Sequence, residues 1–201
     1  MLRIGGMRTA FALAFAVVMS VASSAAAQSS VEEAHASQPA RYVQAGLMAG
    51  GAAPVAGLNV MGAVEGGKRL GDSPAWIHAA AAFGASGDDQ GPGSNFQLHV
   101  GIEGRACAWE GHFCGVGGLD AGYQAGRWSD RDDASRNESI DALVMVPRLG
   151  VDAGGPKVRV RLALEADYAV VAQREPTSSG KTGNGPGLVG VELGLGVAYQ
   201  W

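Results

Sequence analysis

Twelve ionisable residues fall at alternate positions of segments that otherwise read as small or apolar: Glu65, Arg69, His99, Glu103, Arg105, Asp120, Arg148, Arg159, Arg161, Glu165, Asp167 and Glu192. Residues two apart share one face of a strand, so Arg159, Arg161, Glu165 and Asp167 project together, as do His99, Glu103 and Arg105. Acids and bases mixed in this way can pair in a hydrogen-bonded core or line a narrow path for ions or small solutes. On either reading, Glu192 finds partners among arginines such as Arg159 or Arg161.

Catalytic chemistry is poorly supported. His99 and Glu103 share a face and are conceivable as a buried acid/base pair, although a hydrogen-bonded core histidine is the simpler reading. His35, His78, His99 and His112 lack ligand spacing, so neither a metal nor a cofactor is expected. Ser179-Gly180-Lys181-Thr182 looks like the end of a phosphate loop, but Glu175 stands where that loop needs glycine. Asp130, Asp132, Asp133 and Glu138 lack the glycine and terminal glutamate of an EF-hand and read as a solvated loop. Cys107 and Cys114 flank a short turn on the same face, and in an exported chain they are expected to form a disulfide. Loop entropy alone assigns so small a ring about 2–3 kcal/mol.

These residues require strands to position them. From residue 41 onward the chain divides into eight alternating segments: 41–51, 57–70, 75–86, 95–108, 113–127, 140–152, 158–171 and 188–201. The last places Val189, Val191, Leu193, Leu195, Val197, Tyr199 and Trp201 on one face and Leu188, Gly190, Glu192 and Gly194 on the other. In 158–171, Val158, Val160, Leu162, Leu164, Ala166, Tyr168 and Val170 oppose the charged face. No helix keeps this period. The sixth segment is the least regular: Asp141 falls on the apolar face, Val144 and Val146 face inward, and Pro147 predicts a nearby bulge.

The N-terminus sets the compartment. Arg3 and Arg8 precede an apolar run that ends in Ala25-Ala26-Ala27, the layout of a secretory signal peptide cleaved after Ala27; the alternative is an uncleaved membrane helix. Cleavage removes two of the 15 basic residues, leaving 13 against 19 acidic and a net charge of −6, which excludes a nucleic-acid partner. Residues 28–40 read as a flexible leader, with one domain over 41–201. No later run is long enough for a membrane helix, so a membrane-spanning mature chain must cross with strands.

Connection lengths and aromatics agree with a membrane-spanning barrel. An even strand number puts both termini on one side, the periplasm for an exported chain, where the turns 71–74, 108–112 and 153–157 are short. The opposite connections 87–94, 128–139 and 172–187 are longer, with 52–56 an exception. Outward Phe83, Phe96, Tyr123 and Tyr168 lie toward one end, and Phe113, Tyr199 and Trp201 toward the other, as two aromatic belts.

With a signal peptide, eight alternating segments and a C-terminus reading Gly196-Val197-Ala198-Tyr199-Gln200-Trp201, the chain resembles the small outer-membrane β-barrels of Gram-negative bacteria, such as the OmpA membrane domain and OmpX. The resemblance covers residues 41–201, rests on pattern and identifies no subfamily. It implies an all-β, closed, eight-stranded antiparallel meander that sits as a monomer in outer-membrane lipid. It also implies that Tyr199 and Trp201 signal to the barrel-assembly machinery. A barrel of this size is filled by its side chains. The expected role is therefore structural or surface-interacting rather than enzymatic, with no surface partner identified. The alternatives are a narrow pore, a periplasmic lipocalin-like barrel holding an apolar ligand, and a lipid-modifying barrel enzyme.

Overall fold

The computed structural model describes residues 40–52, 57–87, 92–109, 111–129, 138–176 and 187–201. The signal segment 1–27, nearly all of the leader 28–40, Asp130, Asp132, Asp133 and the Ser179–Thr182 stretch lie outside the described residues. Eight strands follow in order: β1 Arg41–Ala52, β2 Gly57–Arg69, β3 Ala75–Gly87, β4 Pro92–Ala108, β5 Phe113–Trp128, β6 Glu138–Gly154, β7 Val158–Pro176 and β8 Gly187–Gln200. Each pairs antiparallel with its sequence neighbours, and β1 pairs with β8, closing an up-and-down barrel. Closure leaves neither β1 nor β8 as an open edge. Arg41 N donates to Trp201 O at 3.0 Å and Trp201 N to Arg41 O at 3.0 Å, so both ends of the barrel domain meet at one rim, called here the terminal end.

Alternation decides the two surfaces. Along β4, Asn95, Gln97, His99, Glu103 and Arg105 are buried while Phe96, Leu98, Val100 and Ile102 are exposed. On β8 and the residue that follows it, Val191, Leu193, Leu195, Val197, Tyr199 and Trp201 are 43% to 58% exposed. A lipocalin-like barrel requires that face inside, and the structure puts it outside.

Two bulges alter this pattern at the end opposite the termini. Between Leu143 and Val144 the β6–β7 register shifts, and Val170 of β7 becomes the extra residue. The expected bulge near Pro147 is therefore displaced to Leu143/Val144, with its extra residue on the partner strand. Pro147 itself lies opposite Leu119 of β5. Between Asp167 and Tyr168 the β7–β8 register shifts, leaving Val189 as the extra residue of β8. An extra residue turns side chains beyond it to the other face. Hence Val189, expected outside, is 4% exposed, and Leu188, expected inside, is 44% exposed.

The barrel interior is layered. Ionised side chains fill its terminal half. Toward the other end Ile140, Ala142, Val144, Val146, Ala169, Ala172 and Val189 form an apolar plug beside the buried Asn59, Gln97, Gln124, Asp167 and Glu192, and Met48, Met61 and Ala82 form a smaller cluster. The inward-turned Val189 belongs to this plug.

Small residues allow the strands to close around these groups. A Cβ on Gly46 would meet the Leu195 carbonyl oxygen and come within 2.7 Å of the Gly196 Cα, whereas one on Gly194 meets nothing closer than Met48 Cγ at 3.7 Å. Gly46→Ala is expected to destabilise the barrel by about 1–3 kcal/mol and Gly194→Ala to leave it unchanged, as read by urea unfolding of refolded protein. Equal midpoints for the two variants would contradict this packing.

Candidate functional site: the lumenal ion network

Arg161 of β7 is the hub of the interior and is 1% exposed. Its Nε donates to Asp152 Oδ1 at 2.7 Å and its Nη2 to Asp152 Oδ2 at 3.0 Å, a bidentate pair. Nη1 donates to Glu65 Oε1 at 2.9 Å and to Glu103 Oε2 at 3.2 Å, and Nη2 also reaches Glu103 Oε1 at 3.2 Å. One guanidinium thus joins carboxylates from β2, β4 and β6.

Arg105 and Arg148 extend the network. Arg105 grips Glu103 Oε1 through Nε at 2.8 Å and Nη2 at 2.6 Å. Its guanidinium lies 4.5 Å from the Tyr42 ring centroid and 4.1 Å from that of Trp76, the two rings meeting edge-to-face. Tyr42 donates its hydroxyl to Glu65. Arg148 bridges Glu65 Oε2 at 2.7 Å and Glu165 Oε1 at 2.6 Å. His78 Nε2 lies 3.2 Å from Arg148 Nη1 and 2.9 Å from Asp120 Oδ1. One ring nitrogen cannot both accept from the guanidinium and donate to the carboxylate, so the histidine tautomer selects its partner.

Among the described residues, seven carboxylates are buried against four guanidiniums. The difference falls on Asp120, Asp167 and Glu192. Asp120 faces His78. Gln97 Nε2 donates to Asp167 Oδ2 at 3.1 Å and Glu192 Oε1 at 3.0 Å, and Asn59 Nδ2 donates to Glu192 Oε1 at 3.2 Å. The expected pairing of Glu192 with Arg159 or Arg161 does not form. Register explains this: Glu192 lies opposite Glu165, whereas Arg161 lies opposite Gly196 and Arg159 opposite Ala198. Four residues separate Glu192 from Gly196, about 13 Å along the strand.

The remaining ionisable residues take other places. His99, 4% exposed, and Glu103 are also about 13 Å apart along β4; Glu103 is held by Arg105 and Arg161. His99 instead lines a cavity of about 30 Å³ with Gln44, Glu65, Gln97, Arg148 and Glu165, room for about two waters. Arg69 lies at the terminal end of β2, in register with Trp76. Arg159 leaves the hub: its Nη1 donates to Gly111 O at 2.7 Å and its Nη2 reaches Cys114 Sγ at 3.1 Å. Cys107 and Cys114 are register partners across β4 and β5 and form a disulfide.

Outside, Phe83 and Phe96 are cross-strand partners, and both are exposed, as is Tyr123; Tyr168 is half-buried. Asp141, placed on the outward face by alternation, accepts the Tyr123 hydroxyl, which gives this outward carboxylate a partner. At the terminal end Tyr199 and Trp201 stack with centroids 5.9 Å apart, and Phe113 meets Trp109 at 5.7 Å. Trp109, 76% exposed, was not among the expected aromatics because it lies in the turn beyond β4, where alternation gives no direction. Trp76, Tyr42 and Asp152 stand on inward faces by alternation, but their joint role needs the cross-strand geometry.

No protein-family model matches the chain, and no curated protein matches its sequence. Solved structures do match in fold. Neisserial surface protein A (NspA) superposes with a TM-score of 0.59 at 11% identity, over 80% of this chain and 97% of that one. Ail, the attachment invasion locus protein of Yersinia pestis, gives 0.53 at 12% identity, over 82% and 99%. The outer membrane protein OprG from Pseudomonas aeruginosa gives 0.58 at 8% identity, over 82% and 97%. The chain has the closed eight-stranded fold of these small outer-membrane barrels. At such identities the likeness is one of architecture.

Proposed function

We propose that the chain is an integral outer-membrane protein, a monomer with a closed, side-chain-filled lumen, and that its role is structural or surface-interacting. The observation that carries this reading is the inversion of the two surfaces. Leu47, Leu58, Ile102 and Leu195 are 58% to 64% exposed, while Glu103, Arg161, Asp167 and Glu192 are 2% exposed or less. A soluble monomer rarely exposes contiguous apolar surface beyond a few hundred Å², whereas a lipid-facing barrel requires it. The aromatic sets at the two ends suit the two headgroup levels, and the shared terminal rim suits periplasmic termini after signal-peptide removal. Tyr199 and Trp201 would present the C-terminal strand to the barrel-assembly machinery. The apolar plug above the ion network favours a closed lumen over a narrow pore. Fractionation of expressing cells tests the location: the protein should be recovered in detergent-extracted outer membrane and migrate differently on gels before and after heating. Recovery in the soluble periplasmic extract would overturn the proposal.

A further inference from the structure

Of the four buried arginines among the described residues, Arg159 stands apart from the carboxylate network and sits against the disulfide. Arg159 Nη2 lies 3.1 Å from Cys114 Sγ, while its Nη1 is anchored to Gly111 O at 2.7 Å and Nη2 also reaches Asp152 O at 3.4 Å. The two sulfurs are therefore unequal. Cys114 is 2% exposed and carries the guanidinium beside it; Cys107 is partly exposed at the terminal mouth of the barrel. Arg159 makes no carboxylate hydrogen bond among those described; its guanidinium contacts are the Cys114 sulfur and the Gly111 and Asp152 carbonyls.

We propose that the Cys107–Cys114 disulfide is a directional thiol-exchange site for low-molecular-weight thiols, with Cys107 as the attacked sulfur and Cys114 as the leaving group. A thiolate attacks Cys107 Sγ and forms a mixed disulfide. The Sγ–Sγ bond breaks, and its electron pair passes to Cys114 Sγ as a thiolate held beside the Arg159 guanidinium. A second thiol then attacks the mixed disulfide, releasing Cys107 and yielding the oxidised small-molecule disulfide, so two thiols are oxidised as the protein disulfide is reduced. Exchange rates rise as the leaving thiolate is stabilised and depend on which sulfur is accessible, and both factors select the same direction here.

Refolded protein in detergent micelles, treated with glutathione, quenched and alkylated, provides the test by mass mapping of the two cysteines. The expected product carries glutathione on Cys107 and the alkyl label on Cys114. Arg159→Met should slow its formation by about three- to tenfold, and Arg159→Lys, which keeps a charge, should slow it less. Heat-modifiable migration confirms that each variant is folded before the comparison. Glutathione found mainly on Cys114 or equally on both would overturn the proposal, as would an unchanged rate in folded Arg159→Met.

Discussion

Arg161→Leu is expected to cost the barrel about 3–5 kcal/mol, because it removes one member of a buried ion cluster and leaves the others in place. Asp152 loses both of its short hydrogen bonds to that guanidinium, and Glu65 and Glu103 lose one of their shared cations. Urea unfolding of protein refolded into lipid vesicles measures the loss. Arg161→Lys should recover only part of it, since an ammonium cannot reproduce the fork that grips Asp152 through two nitrogens. The double variant Arg161→Leu with Asp152→Leu should be less destabilised than the single one, because the carboxylate most dependent on Arg161 is removed with it. A double variant as unstable as the sum of its two single changes would show that the two residues do not act as a pair.

Leu195→Arg is the second large effect, expected at about 2–4 kcal/mol in a bilayer. Leu195 pairs in register with Leu47 on one side and Leu162 on the other, so it sits mid-strand in a row of outward leucines. An arginine there must desolvate or snorkel to a headgroup. Val158→Arg, on the same outward surface but at the first residue of β7, should cost only about 0–1 kcal/mol because it lies near the interface. The depth dependence separates lipid from water as the outer medium. Equal, negligible costs at both positions would place the face in water.

Much of this architecture is legible in the sequence, for a physical reason. A closed barrel gives each strand the same two environments, so the alternation of Phe96, Leu98, Val100 and Ile102 against Gln97, His99, Glu103 and Arg105 repeats on every strand. The cysteines could be placed on one face because a tight turn between adjacent strands fixes their register. The inward turn of Val189 is not legible, because a bulge reverses the alternation without leaving a local signature. Valine fits either face, so nothing in Leu188-Val189-Gly190 marks the change. Glu192 was assigned the wrong partners for a related reason. Its face follows from its own strand, but its height depends on the stagger between β7 and β8, which no single strand encodes. The seat of Arg105 over Tyr42 and Trp76 likewise joins β4 with β1 and β3. Side-chain direction is local information, whereas the network depends on the shear of the closed sheet.

The combination of a cross-linked ion network with an apolar plug leads to a specific electrical behaviour. Ions entering from the terminal mouth would meet Arg161 and its three carboxylates, and farther along the barrel they would meet Val144, Val146 and Val189 packed beside the buried Gln97, Gln124, Asp167 and Glu192, so side chains occupy both halves of the lumen. Single-channel recording of the refolded, heat-modifiable protein in planar bilayers tests the central claim of a side-chain-filled membrane barrel most directly. The structure predicts insertion without discrete conductance steps. Reproducible discrete openings from the wild-type protein would contradict it.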